Sequence, residues 1–431
     1  MNEQPTDPMG ALGAALKTRQ LESVADVLSR FPSVKARLDE PVPGGAFGAT
    51  ALIVAVQQAN RELVDLLLAA GANINQRSHW WAGGFHVLED DHDLADFLIA
   101  RGATLDAKSA SQLGRIEDLA ALLAANPGAV HMRGGDGQTP LHVAPTVAVA
   151  ELLLRHGAAI DALDVDHESM PAQYLVRSHP EVARFLVERG ARTDILLLAA
   201  LGDIERVRGL LDADLDSIRC TVSERYFPKR NFHAGGHIYT WTLGQGKTAH
   251  LVAREFGHQE VFRLLMDRSP DPLRLAVACE SGDEALVTAL LQSQPDLAQR
   301  LSEDEQRRLP MAAESNNADA VGVMLKAGWP VDTVARHGAT ALHWAGFHGN
   351  VAMARAILPH GPPLEAREKD FGQTPLDWTI YGSLNGWHAE RGDHAGVLEL
   401  LLDGGAKAPP LTPDRKASEA VLAVLRRRSQ H

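Results

Sequence analysis

Cysteine is almost missing from this chain. Its 431 residues include only Cys220 and Cys279. They stand far apart in the sequence, so a disulfide framework is excluded as an organising principle. Positive charge is short too: 42 Lys and Arg stand against 55 Asp and Glu, a net charge of −13. That argues against a nucleic-acid binder, which needs a basic surface. Basic residues cluster only at Arg426, Arg427 and Arg428, where they suit the negative end of a helix dipole. No apolar run approaches the ~20 residues of a membrane span. The opening MNEQPTDPMG lacks a charged segment followed by an apolar one, so no signal peptide is read there. No Walker loop, GxSxG elbow or HExxH occurs. Together these absences predict a soluble, cytoplasmic protein in a reducing compartment, with no cofactor, no metal and no membrane partner.

What is present is repetition. Residues 338–361 read GATALHWAGFHGNVAMARAILPHG. Thr340 sits where a helix should begin, its hydroxyl free to accept from a first-turn N–H. Two sister stretches place proline next, Thr139-Pro140 and Thr374-Pro375, which presets φ and loses no hydrogen bond. Gly349 and Asn350 break the helix. A second helix carries Val351, Ala354, Ile357 and Leu358 on one stripe, and Gly361 ends it as a left-handed cap would. Two helices this short cannot bury their stripes alone, so they need a neighbour on each side.

Neighbours recur at about the 33-residue period of such arrays. The second helix and its glycine return as LVDLLLAAG, VAELLLRHG, VARFLVERG and AVGVMLKAG, and the helix start as TALI, TPLH, TAHL, TALH and TPLD. At these residues the chain closely resembles the ankyrin-repeat family. The resemblance implies an all-α solenoid of about twelve helix-turn-helix repeats over residues 11–408, after a loose segment at 1–10 and before a capping helix within 409–431. It also implies that His142 and His343, in the TPLH slot, bond neighbouring loop backbone. GGF in the third repeat should weaken its first helix, and Pro145 should cut that of the fifth. The twelfth carries an insertion at 383–392.

Residues 220–246 stand outside the pattern. Tyr239, Trp241 and Leu243 alternate with Ile238, Thr240 and Thr242, a strand signal. With a turn at 233–236, this predicts a β-hairpin projecting from the solenoid with an aromatic face that includes Tyr239 and Trp241.

In the pattern this sequence resembles, the residue after the His slot and the one three later look into a concave groove, since residues three apart share a helix face. Those slots hold Val252 and Glu255, Val277 and Glu280, Met311 and Glu314, Trp344 and Phe347, then Trp378 and Tyr381. The earlier repeats are blander. The groove of repeats 8–12 therefore reads acidic, then aromatic. Such a surface suits a protein or peptide partner of basic character, by charge pairing and cation–π contact. The alternative is that Trp344 and Trp378 are core and the glutamates merely solvated.

His233, His237, His250 and His258 lie near one another in sequence, yet no cysteine pair or carboxylate motif completes a tetrahedral metal set. Glu255, Glu280 and Glu314 would stand ~10 Å apart on neighbouring repeats, too far for a retaining glycosidase pair. The sequence thus favours a protein-binding module or scaffold. An enzyme with a small-molecule or metal site between groove and hairpin is the alternative.

Overall fold

The computed structural model describes residues 7–89, 93–410, 412 and 416–428. Among them every regular element is helical, and β pairing is confined to isolated bridges such as Pro41 with Thr50 and Val334 with Thr340. The chain divides into two compact units. One holds the residues up to Val207 together with Cys220–Gln245; the other holds Arg208–Arg219 and the residues from Gly246 on.

The same local chemistry builds both. At Thr340 the cap is reciprocal: its side chain takes the N–H of His343, and its own N–H donates to His343 Nδ1 at 3.1 Å. The second ring nitrogen of His343 reaches the carbonyl of Gln373 at 3.2 Å. Thr139 and His142 repeat this, with Nε2 on the carbonyl of Ser169 at 3.1 Å. Because a backbone N–H donates to Nδ1, each neutral ring carries its proton on Nε2. One imidazole thus caps its own helix and ties it to the following loop. In the next repeat Gln173 fills the slot, accepting from the N–H of Met170 at 2.9 Å. Gly349 turns the chain between paired helices at φ 63°, and Gly328 ends a second helix at φ 98°. Both angles favour glycine because it has no Cβ to clash.

In the first unit, Asp7 caps a helix over Pro8–Lys17, accepting from the N–H of Met9 at 3.1 Å. The loose segment expected at 1–10 is thus corrected from Pro8 onward; residues 1–6 lie outside those described. Paired helices follow, Ala51–Gln57 with Arg61–Ala69 and Pro171–Ser178 with Pro180–Glu188. The third repeat has no first helix around Gly83 and Gly84, and the fifth keeps only a 3-10 turn, Pro140–Val143, before Pro145. Where that third helix is missing, polar contacts substitute. Buried Lys108 bonds Glu89 at 2.6 Å, and Glu89 also accepts the N–H of Gly135 at 2.8 Å.

The projecting hairpin is not found. Residues 220–245 contain no strand and end in one π-helical turn, Thr240–Gly244. Tyr239 and Leu243, four apart, are both buried. Their spacing fits a helical turn as well as an alternating strand, and polar anchors decide between the two. The hydroxyl of Tyr239 donates to Asp194 at 2.8 Å, and the N–H of Ile238 donates to the hydroxyl of Ser169 at 3.1 Å. The segment is pinned flat on its own unit rather than extended from it.

In the second unit one apolar core runs from Leu275 to Leu425 through successive helix pairs. Its pairs include Arg308–Glu314 with Ala318–Lys326, Ala341–His348 with Val351–Ile357, and Pro375–Asn385 with His394–Asp403. A helix over Glu419–Arg428 buries Val421, Val424 and Leu425 in that core.

Candidate partner-binding pocket

The helices Ala341–His348 and Pro375–Asn385 bring their aromatic residues to one place. Trp344 and Trp378 meet edge to face, with centroids 5.0 Å apart. Phe347 lies 5.8 Å from each. The expected insertion supplies a further ring: Trp387 stacks over Trp344 at 5.9 Å and meets Phe347 edge-on at 5.4 Å. With Phe371 and Tyr381 these rings enclose a pocket of about 220 Å³. Arg336, His337 and Gln373 complete its wall.

Two polar features mark this wall. His337 holds a left-handed backbone at φ 62° on the loop before Thr340 and bonds Asp370 at 2.7 Å. A non-glycine residue seldom adopts that conformation. The indole nitrogens differ. Trp378 hydrogen-bonds Glu368, whereas the buried Nε1 of Trp344 has no acceptor among the described residues. A buried donor left unmatched is costly, and this one lies in the packed interior behind the pocket wall.

The surrounding charge is mostly negative. Arg336 bonds Glu314 at 3.0 Å, and the carboxylate of Glu368 accepts backbone N–H groups of Asp370, Phe371 and Gln373. Burial acts upward on the pKa of Glu368, but those donors outweigh it and hold the carboxyl below its usual range. Three carboxylates stand behind the wall, Glu314 on Arg336, Asp370 on His337 and Glu368 on Trp378, while Arg336 itself lines the pocket.

The structure corrects several expected exposures. Trp344 and Trp378 are only 2% and 5% exposed. They pack on one another, and Trp387 from the insertion covers the first. Their role is therefore wall and core together, while Trp387 at 61% and Tyr381 at 54% form the open lip. Glu280 is not a groove carboxylate; it pairs with Arg308 at 2.8 Å with both side chains buried. Glu314 is likewise buried against Arg336. Burial pushes the carboxyls of both glutamates up, and the guanidinium beside each opposes it. Glu255 is exposed and pairs with Lys247. Glu255, Glu280 and Met311 do not line the pocket, so no row of three free carboxylates exists. In the first unit Tyr239 is wholly buried, contrary to its expected place on an aromatic face, while Trp241 is exposed. Sequence reasoning missed His337, Phe371 and Trp387, which come from loops that the helix-slot pattern does not index. A tryptophan inside an insertion was the signal that could have found the last. Among the described residues no group of three or more His, Cys, Asp and Glu could hold a metal ion.

Paired short helices, reciprocal Thr–His caps and left-handed loop residues define a helical repeat protein with a side-chain-sized aromatic pocket. The ankyrin repeat family model matches residues 47–79, 136–165 and 337–369. These stretches open on the left-handed residues Phe47, Asp136 and His337. The chain is an ankyrin-repeat protein. No curated protein matches the sequence. Among solved structures, the human ASB11 ankyrin repeat domain is similar at 19% identity, over 72% of this chain and 100% of that one, with a TM-score of 0.29.

Proposed function

We propose that this protein binds another protein through the aromatic pocket of its second unit, and that the pocket receives a basic side chain. Ankyrin repeats are in general protein–protein interaction modules, and the finer reading rests on this chain's own residues. The observation that carries it is the cluster of Trp344, Phe347, Trp378 and Trp387, with touching rings 5.0–5.9 Å apart, backed by the carboxylates of Glu314, Glu368 and Asp370 behind its wall. Aromatic faces attract a cation by about 0.5–2 kcal/mol each when water is excluded. Nearby carboxylates add to that attraction. Trp and Tyr at the lip are the residue types that most often dominate interfaces. Two free, buried thiols, Cys220 and Cys279, suit a scaffold working in the reducing cytoplasm.

Selection of a random peptide library on the full chain tests this. Lysine or arginine should be enriched at one position. Trp387→Ala, a change at an exposed site, should weaken the selected peptides by roughly two- to thirtyfold, the range set by one cation–π contact. Enrichment of acidic or uncharged peptides, or unchanged binding by the variant, would contradict the proposal.

A further inference from the structure

The first unit holds a second cavity, of about 320 Å³, within the size range of small-molecule sites. Its floor is Met170, Gln173 and Asp194, and its roof is the segment from Tyr226 to His237. The roof is fastened on several sides. The N–H of Gly235 donates to the carbonyl of Asp166 at 2.9 Å, and His167 bonds the carbonyl of Gly236 at 2.7 Å. Glu168 accepts the N–H groups of Arg230 and Asn231 at 2.7 and 2.9 Å. To do so it holds a left-handed backbone at φ 48°, a strained setting for a non-glycine residue.

Hydrogen-bond accounting gives the cavity its sign. Both of its carboxylates are already satisfied by the chain. One oxygen of Asp194 accepts the N–H groups of Leu196 and Leu197 at 2.9 Å; the other accepts Tyr239 at 2.8 Å and Gln173 at 3.1 Å. Glu168 is spent on the roof. The donors are not. Arg230 has no carboxylate partner among the described residues. Lys229 and Arg192 have long, solvent-facing contacts, at 3.4 Å to Glu224 and 3.3 Å to Asp161. His237 takes the N–H of Tyr239 on Nδ1 at 3.2 Å, which leaves its Nε2–H as a further donor. Beside these, the ring of Phe227 packs on His237 at 4.3 Å and on Tyr239 at 5.3 Å, an apolar wall.

We infer that this cavity binds a small molecule carrying an oxyanion next to a flat apolar group, with Arg230, Lys229 and Arg192 holding the anion and Phe227 the flat part. Guanidinium groups match phosphate and carboxylate oxygens two at a time, so either oxyanion satisfies the donors. Burial keeps the His237 imidazole neutral, with its pKa lowered to about 3, so it donates without adding charge.

Calorimetric titration of the full chain with phenyl phosphate and with benzoate tests the inference, with benzylamine as the opposite-charge control. At least one of the two anions should bind at millimolar concentration or below, and the tighter one identifies the oxyanion preferred. Benzylamine, which the aromatic pocket of the second unit can take, should not displace the bound anion. Arg230→Gln combined with Lys229→Gln, both at exposed positions, should weaken the anion by about tenfold or more, as loss of charge-assisted hydrogen bonds does. The thermal midpoint without ligand should stay unchanged. Trp387→Ala, in the other unit, should leave the anion's affinity as it was. Absence of binding by both anions, displacement of the anion by benzylamine, or undiminished binding by the double variant would overturn the inference.

Discussion

At the scale of single residues, the buried histidines are the most exposed to conditions. His142 accepts on Nδ1 and donates from Nε2. A second proton on Nδ1 would face the N–H of Thr139, with only the Thr139 hydroxyl, at 2.9 Å, able to turn and accept it. Burial lowers its pKa from 6.5 to about 4, with the carbonyl of Ser169 opposing; burial likewise lowers His348 to about 4. A folded pKa below the unfolded one means that the unfolded chain binds more protons between the two values. The stability from these rings is thus complete above about pH 6.5 and is lost as pH falls toward 4. For His142 the loss is on the order of 3 kcal/mol. Urea midpoints measured from pH 7 to pH 4 should fall across that window. His142→Gln should flatten the fall, because Gln173 already makes the same cap in the next repeat and does not titrate. An equal slope in the variant would show that this ring is not a source of the acid sensitivity.

At the scale of elements, much of the fold was legible because its signals are local. Thr340, Thr139 and Thr374 satisfy orphan N–H groups within three residues, and Gly328 and Gly349 supply angles that need no distant partner. Gly83, Gly84 and Pro145 marked defective first helices for the same reason. The segment ending at Tyr239 was misread because its outcome depends on a contact 45 residues away in sequence, with Asp194. Alternation alone could not reveal that anchor. Tyr239→Phe should test the anchor's weight. It removes one of four donors to Asp194, leaves Gln173 on the same oxygen, and should cost about 0.5–1.5 kcal/mol, the net worth of one hydrogen bond. Hydrogen exchange at the amides of Gly235 and Ile238 should quicken in the variant. Unchanged protection would mean that the roof is held without the hydroxyl.

The pocket was half legible on similar grounds. Trp344, Phe347, Trp378 and Tyr381 follow from positions three apart on successive helices, a spacing visible in one dimension. The burial of Trp344 was not visible, because Trp387, on an insertion whose path no periodicity describes, stacks over it. Glu280 and Glu314 were misjudged because their partners, Arg308 and Arg336, lie 28 and 22 residues away. Removing either Arg308 or Glu280 would strand its buried partner, and removing half-exposed Arg336 would strand buried Glu314, which makes these glutamates structural groups rather than bait for a partner.

At the scale of the whole molecule, the two cavities described differ in character. The one in the first unit is edged by Arg230, Lys229 and Arg192, the one in the second by aromatic faces with carboxylates behind its wall. The net charge of −13 favours approach of a basic partner over long distances, while the pocket decides where its side chain lodges. The seven tryptophans allow that claim to be read directly. With 5-fluorotryptophan incorporated, the fluorine resonances of Trp344, Trp378 and Trp387 should shift when a library-selected basic peptide is added, and should stay put when its basic residue is replaced by methionine. Trp80, Trp81 and Trp241 in the first unit, and buried Trp329 in the second, should not move in either case. Shifts confined to the first unit, or equal shifts with the methionine peptide, would contradict the account.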